Sequence, residues 1–206
     1  MKEHYYDKLL NINTRGDRLE GTVKKPRRYY PYEPTPYSAL EILFENYEVN
    51  RSDSIVDFGC GKGRLNFYIH YFFHAAVTGI EMNETLYQEA LENSKMYGRK
   101  TKSRLEGIQF HCCLAEEYQI ASSDNRFYFF NPFSIQVFRS IINNILVSVE
   151  EAEREIELIL YYPSQDYIYF LENETSFELK KEIILPHDYL RDSNERFLLY
   201  RLGKVI

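Results

Sequence analysis

The chain has 206 residues, enough for one domain with its own core, and its 44% hydrophobic and 27% charged residues exclude disorder on a large scale. A formal net charge of −6 excludes a protein that coats nucleic acid through overall positive charge, although a local basic face stays open. The N-terminus lacks an apolar signal core and no apolar run reaches membrane-spanning length, so a cytoplasmic protein with no membrane partner is expected.

Residues 1–36 read as an irregular N-terminal strap or lid. Arg15, Arg18, Lys24, Lys25, Arg27 and Arg28 crowd this segment, which reads as a solvated face and, weakly, as a contact for nucleic acid. Tyr29-Tyr30-Pro31-Tyr32-Glu33-Pro34-Thr35-Pro36 follows, where proline and pre-proline positions block helix and favour extended chain. After Pro36, Tyr37, Leu40, Leu43, Phe44 and Tyr47 recur on one helical face.

From there strand and helix alternate. Ser54–Phe58 reads as a buried strand, followed by a glycine loop and a helix from about Arg64 to His74. Ala76–Ile80 is the second strand, and Asn83 caps a helix that Gly98 is expected to stop near Tyr97. Ile108–Cys113 is a third strand, in which adjacent Cys112 and Cys113 read as buried free thiols. Arg126–Phe130 and Ile156–Tyr162 are the fourth and fifth strands, separated by a helix from Ile135 to Val149. A short helix around Asp166–Leu171 precedes two last strands, Phe177–Leu185 and Arg196–Leu202. Little room for a helix separates those two, so they should pair antiparallel. The pattern predicts an α/β fold: a doubly wound, seven-stranded, mostly parallel sheet with a C-terminal antiparallel strand and helices on both faces. Such sheets bind ligands at the carboxyl ends of their strands, near the switch in strand order.

The informative loop is Val56-Asp57-Phe58-Gly59-Cys60-Gly61-Lys62-Gly63-Arg64. Its glycines allow a tight turn and close approach of a ligand. A dinucleotide fingerprint spaced G-x-G-x-x-G would need glycine where Arg64 stands, and a P-loop would need Ser or Thr where Gly63 stands. Asp57, just before the loop, repels a pyrophosphate and attracts an ammonium or sulfonium.

Asp57, Gly59, Gly61 and Gly63 together resemble the cofactor loop of class I S-adenosylmethionine-dependent methyltransferases, which have a Rossmann-like fold. Glu81 ends the second strand, where members of that family carry an acid for the ribose hydroxyls. The resemblance covers roughly Tyr37 to the C-terminus, residues 37–206, and implies S-adenosylmethionine as cofactor. It also implies an acidic contact to the adenine after the third strand, which this chain would supply through Glu116. Asn131-Pro132-Phe133, at the end of the fourth strand, looks like the (Asp/Asn)-Pro-Pro-(Tyr/Phe) motif of amino-group methyltransferases, with one proline instead of two. By that resemblance Asn131 and Pro132 orient an amine and Phe133 stacks on a planar acceptor. Tyr32, Thr35 and Tyr37 lie in a segment like one that packs beside the methionine end of the cofactor in some nucleic-acid amino-methyltransferases, and would contact substrate.

The sequence shows no Cys/His pattern with metal spacing and no Ser-His-Asp set. His187-Asp188 reads as a turn pair, with a general base as the alternative. Methyl transfer to nitrogen of a small molecule, protein or RNA base is the leading expectation. O-methyl transfer, a nicotinamide-dependent oxidoreductase and a non-catalytic cofactor-binding protein are the alternatives.

Overall fold

A computed structural model describes residues 2–16, 32–101, 106–186 and 188–202. Its helices are α1 (Lys2–Leu10), α2 (Tyr37–Asn46), α3 (Arg64–Phe73), α4 (Glu84–Thr101), α5 (Ile135–Glu151) and α6 (Gln165–Glu174). Its strands are β1 (Ser54–Phe58), β2 (Ala76–Glu81), β3 (Ile108–Cys112), β4 (Arg126–Phe130), β5 (Glu157–Tyr161), β6 (Phe177–Ile184) and β7 (Arg196–Leu202).

The seven strands form one sheet in the order β3-β2-β1-β4-β5-β7-β6. β1 pairs in parallel with β2 on one side and β4 on the other, so the strand order reverses beside β1. β7 inserts antiparallel between β5 and β6, as the short connection predicted.

Side chains alternate cleanly between the two faces. Val56, Phe58, Phe127, Phe129, Leu158 and Leu160 join the core beneath α5 and α6. Ile55, Tyr128, Ile159, Phe197 and Leu199 join the opposite core, with residues from α1, α2 and α3. Period 2 therefore places Asp57 on the face covered by the N-terminal helices.

Three expectations are corrected. Residues 2–10 form a helix, not irregular chain. Its weak apolar stripe is replaced by specific contacts: Tyr6 stacks on Tyr37 at 4.7 Å and donates to Glu41, and Glu3 pairs with Arg64. Gly98 lies inside α4, which runs on to Thr101; buried Tyr97 anchors that turn and offsets a glycine cost of about 1 kcal/mol. Cys112 is exposed and Cys113 half-buried because β3 is an edge strand, whereas Cys60 is the buried thiol.

Candidate functional site

The glycine loop links the carboxyl end of β1 to the first turn of α3. Gly59, Gly61 and Gly63 all have left-handed φ, at 82°, 53° and 83°, a region costly for a side chain. The amides of Gly59 and Cys60 both donate to the carbonyl of Ile80, pinning the loop against the end of β2. Glu81 completes this junction. Its Oε2 accepts from Gly61 N–H at 3.0 Å and its Oε1 from Asn83 N–H at 2.7 Å. Carboxylate oxygens retain further lone pairs for a ligand hydroxyl.

The space a side chain would need at the loop glycines is filled by this chain's own groups. A Cβ on Gly59 would stand 3.0 Å from Pro132, one on Gly61 2.1 Å from the Tyr32 ring, and one on Gly63 2.7 Å from Phe110. Packing thus fixes the glycines as firmly as any ligand would. It also brings the Asn131-Pro132 turn and the N-terminal arm onto the loop.

Asp57 is 4% exposed. With the Asn66 amide oriented to satisfy both of its ends, its nitrogen donates to Asp57 at 3.0 Å and its oxygen accepts from Gly79 N–H. No cation compensates Asp57 among the described residues. Burial first, and the Glu81 charge second, push the Asp57 carboxyl up to about 8. A cationic group bound here would return it to the ionised form.

Arg64 was not predicted as part of the site. A cation in the first turn of a helix opposes the helix dipole and needs compensation. Here Arg64 donates to Thr14 Oγ1 at 2.8 Å and to the carbonyl of Thr35 at 3.1 Å, pairs with Glu3, and lies 4.4 Å over the Tyr37 ring. It fastens α1 and the arm to the loop. Lys62 adds a bond to the Arg15 carbonyl and an ion pair with Glu89.

On the arm, Tyr32 donates to the carbonyl of Thr14 at 2.8 Å while its ring covers Gly61. Thr35 Oγ1 lies 2.7 Å from Tyr128 Oη, and Tyr128 is the β4 residue in register with Asp57. Tyr37 is fully buried, donates to Asp7 at 2.8 Å and receives Arg64 on its ring. Of the basic cluster only Arg15 is described; Arg18, Lys24, Lys25, Arg27 and Arg28 lie outside the described residues, as do Tyr29, Tyr30, Pro31 and His187.

At the end of β4, Asn131 adopts a left-handed φ of 38°. Its Oδ1 is buried and has no partner among the described residues, and the same holds for Ser134 Oγ. Phe133 is 3% exposed and packs in the α5–α6 core, where Tyr167 clamps its backbone: Tyr167 Oη donates to the Phe133 carbonyl at 2.6 Å and accepts from its N–H at 3.2 Å. Glu116 sits in a short 3₁₀ turn, Ala115–Glu117, after β3, and its carbonyl accepts from Asn144 of α5 at 2.9 Å.

A family model described as a methyltransferase domain matches residues 37–127, which span β1, the glycine loop, Glu81 and β3 and end in the first residues of β4. The sheet order, the parallel pairing around β1 and the antiparallel β7 agree with that match over the rest of the chain. Residues 37–127 are thus similar to a methyltransferase domain, and the sheet is Rossmann-like. Among solved structures, an RNA methyltransferase from Salinibacter ruber in complex with S-adenosyl-L-homocysteine shares this fold at a TM-score of 0.58 and 16% identity, over 84% of this chain and 96% of that one. A putative tRNA methyltransferase from Streptococcus pneumoniae superposes at 0.59 and 16% identity, over 81% and 70%. Among curated proteins, a protein-lysine N-methyltransferase of Saccharolobus islandicus is 32% identical over 34% of this chain and 44% of its own length. A malonyl-[acyl-carrier protein] O-methyltransferase of Bacillus anthracis is 26% identical over 71% of this chain and 50% of its own. The chain thus spans about half the length of the curated relatives it matches. Among the described residues no helix is long and apolar enough to cross a membrane.

Proposed function

We propose that this chain is an S-adenosylmethionine-dependent methyltransferase that places the methyl group on a nitrogen. The observation that carries the reading is the buried, partnerless Oδ1 of Asn131, on a turn whose next residue packs against Gly59 of the loop. An unpaired buried acceptor costs about 1–3 kcal/mol, and an acceptor molecule with an N–H would satisfy it. The cofactor fits the other side of the site. Asp57 is a buried carboxyl without a cation, and the molecule brings an ammonium and a sulfonium.

S-adenosylmethionine, when bound, supplies a methyl group already activated on positive sulfur. What remains for the protein is alignment and exclusion of water. Asp57 would hold the cationic end, Glu81 would take the ribose hydroxyls, and Gly59, Gly61 and Gly63 would shape the loop around the cofactor. Glu116 would reach the adenine from the 3₁₀ turn. Asn131 accepts from the substrate nitrogen and so turns its lone pair towards the methyl, with Pro132 fixing the turn. Tyr32 and Thr35, fastened to α1 through Thr14 and Arg64, would close the methionine end. The unbonded thiols of Cys60, Cys112 and Cys113 support a reducing, cytoplasmic setting.

The test uses labelled cofactor and pooled metabolites, peptides and RNA to find an acceptor. Asn131→Ala is then expected to lower turnover while cofactor affinity stays at the wild-type value. Wild-type turnover in that variant would remove the amine-orienting role. Methyl found on oxygen would transfer the case to O-methylation.

A further inference from the structure

The turn after β4 holds two anomalies of the same kind. Asn131 Oδ1 and Ser134 Oγ are both buried and both without a partner among the described residues. Ser134 occupies the position before the first turn of α5, where a serine normally accepts from a backbone N–H two or three residues on. It makes no such bond. The next helix provides an internal comparison: Ser164 stands at the same position of α6 and does cap it, accepting from Tyr167 N–H at 3.3 Å. Ser134 is therefore not serving its helix, although its carbonyl opens the helix normally with a bond from Phe138 N–H at 3.1 Å. Between the two orphan oxygens the chain is held rigidly by both bonds from Phe133 to Tyr167.

We infer that Ser134 is a second acceptor-binding residue and that the group methylated is a primary aliphatic amine. This rests on the methyltransferase reading above. A neutral primary amine carries two N–H donors and one lone pair. One N–H to Asn131 Oδ1 and one to Ser134 Oγ satisfies both oxygens and leaves the lone pair for the methyl carbon. The N–C bond forms as the C–S bond breaks, the electron pair of that bond passes to sulfur, and the surplus proton on nitrogen goes to water. A hydroxyl offers one donor and leaves one of the two oxygens unpaired, and sites built to bond a group discriminate strongly against analogues that lack it.

The surroundings favour the carrier of an amine, cationic in solution and neutral at the site once it has lost one proton to water, over a polyanion. The connection from β6 to β7 lies at the same pole as this turn, because β7 starts beside the end of β5. It carries Asp188, Asp192 and Glu195 against Arg191, and Arg196 is already paired with Glu182. Glu195 accepts from Tyr161 at 2.6 Å and Asp192 from Tyr162, so carboxylates border the end of β5.

The experiment uses the whole chain with methyl-labelled cofactor and three probes: a tryptic peptide pool with blocked amino termini, spermidine, and total RNA. A fourth sample replaces the lysines of synthetic peptides with 6-hydroxynorleucine. Label is expected on the ε-amine of peptides or on spermidine, the two arms telling protein from small-molecule carriers, and not on the hydroxyl peptides. Ser134→Ala should cut that transfer about tenfold, the loss of one hydrogen bond of ordinary strength in the transition state, with S-adenosylhomocysteine affinity within about twofold of wild type. Its melting temperature should hold or rise, since an unpaired hydroxyl is removed; a fall of several degrees would show Ser134 to be a helix cap. Label only in RNA, transfer to the hydroxyl peptides, no transfer to either amine probe, or wild-type rates in Ser134→Ala would each overturn the inference. Calorimetry of the wild-type protein with S-adenosylhomocysteine separates the two readings: no binding there removes the methyltransferase reading itself.

Discussion

Asp57 shows how one residue can report on a site. Its carboxyl is pushed up to about 8 by burial and by Glu81, against 3.8 for a free aspartate side chain. Between those values the native state binds more protons than the unfolded chain, so this group makes stability fall as pH rises from about 4 to 8 and level off above that. Asp57→Asn should flatten that part of a melting-temperature profile. A bound ammonium favours the ionised carboxylate. S-adenosylhomocysteine should therefore stabilise the wild type relative to Asp57→Asn more at pH 8 than at pH 6. Equal stabilisation of the two proteins at both values would place the cation elsewhere. Glu81→Ala is expected to weaken cofactor binding by about 1–3 kcal/mol, measured by calorimetry, through loss of the ribose contact and of the bond that fixes Gly61. The placement of Asp57, Glu81 and Asn131 at the ends of strands was legible in the sequence, because each is a polar residue where an apolar run stops. The burial of Tyr37 and Phe133 was not. A sequence places aromatic rings near a site, but only the contacts of Asp7, Arg64 and Tyr167 decide whether they face in or out.

Elements were legible where their period was strong. β1, β4 and β7 stand as read, since runs of apolar residues bounded by turns leave few choices. α1 was not legible. Its sequence is polar on most sides, and it is held by Glu3–Arg64, Tyr6–Glu41 and the buried Asp7, which accepts from Thr14 and Tyr37. This makes Arg64 the fastening between α1, Thr35 and the glycine loop at the carboxyl end of β1. Arg64→Met is expected to cost about 1–3 kcal/mol in urea unfolding, from lost bonds to a buried cation whose partner Glu3 is partly exposed. The same variant should raise hydrogen exchange over residues 2–16 while the strands stay protected. Unchanged exchange in α1 would show that aromatic packing alone holds the arm.

At the scale of the molecule, the two cores on either side of one sheet fix the ends of β1, β2 and β4 at one pole, where the proposed site lies. The fold alone admits more than one cofactor. The choice between them rests on the loop spacing, on the acid at the end of β2 and on a buried carboxyl that wants a cation. The direct measurement is titration calorimetry of the purified full chain at pH 8 with S-adenosylhomocysteine and, separately, with NAD. One molecule of S-adenosylhomocysteine bound per chain, with no heat from NAD, is the predicted result. Binding of NAD without binding of S-adenosylhomocysteine would contradict the account at its centre.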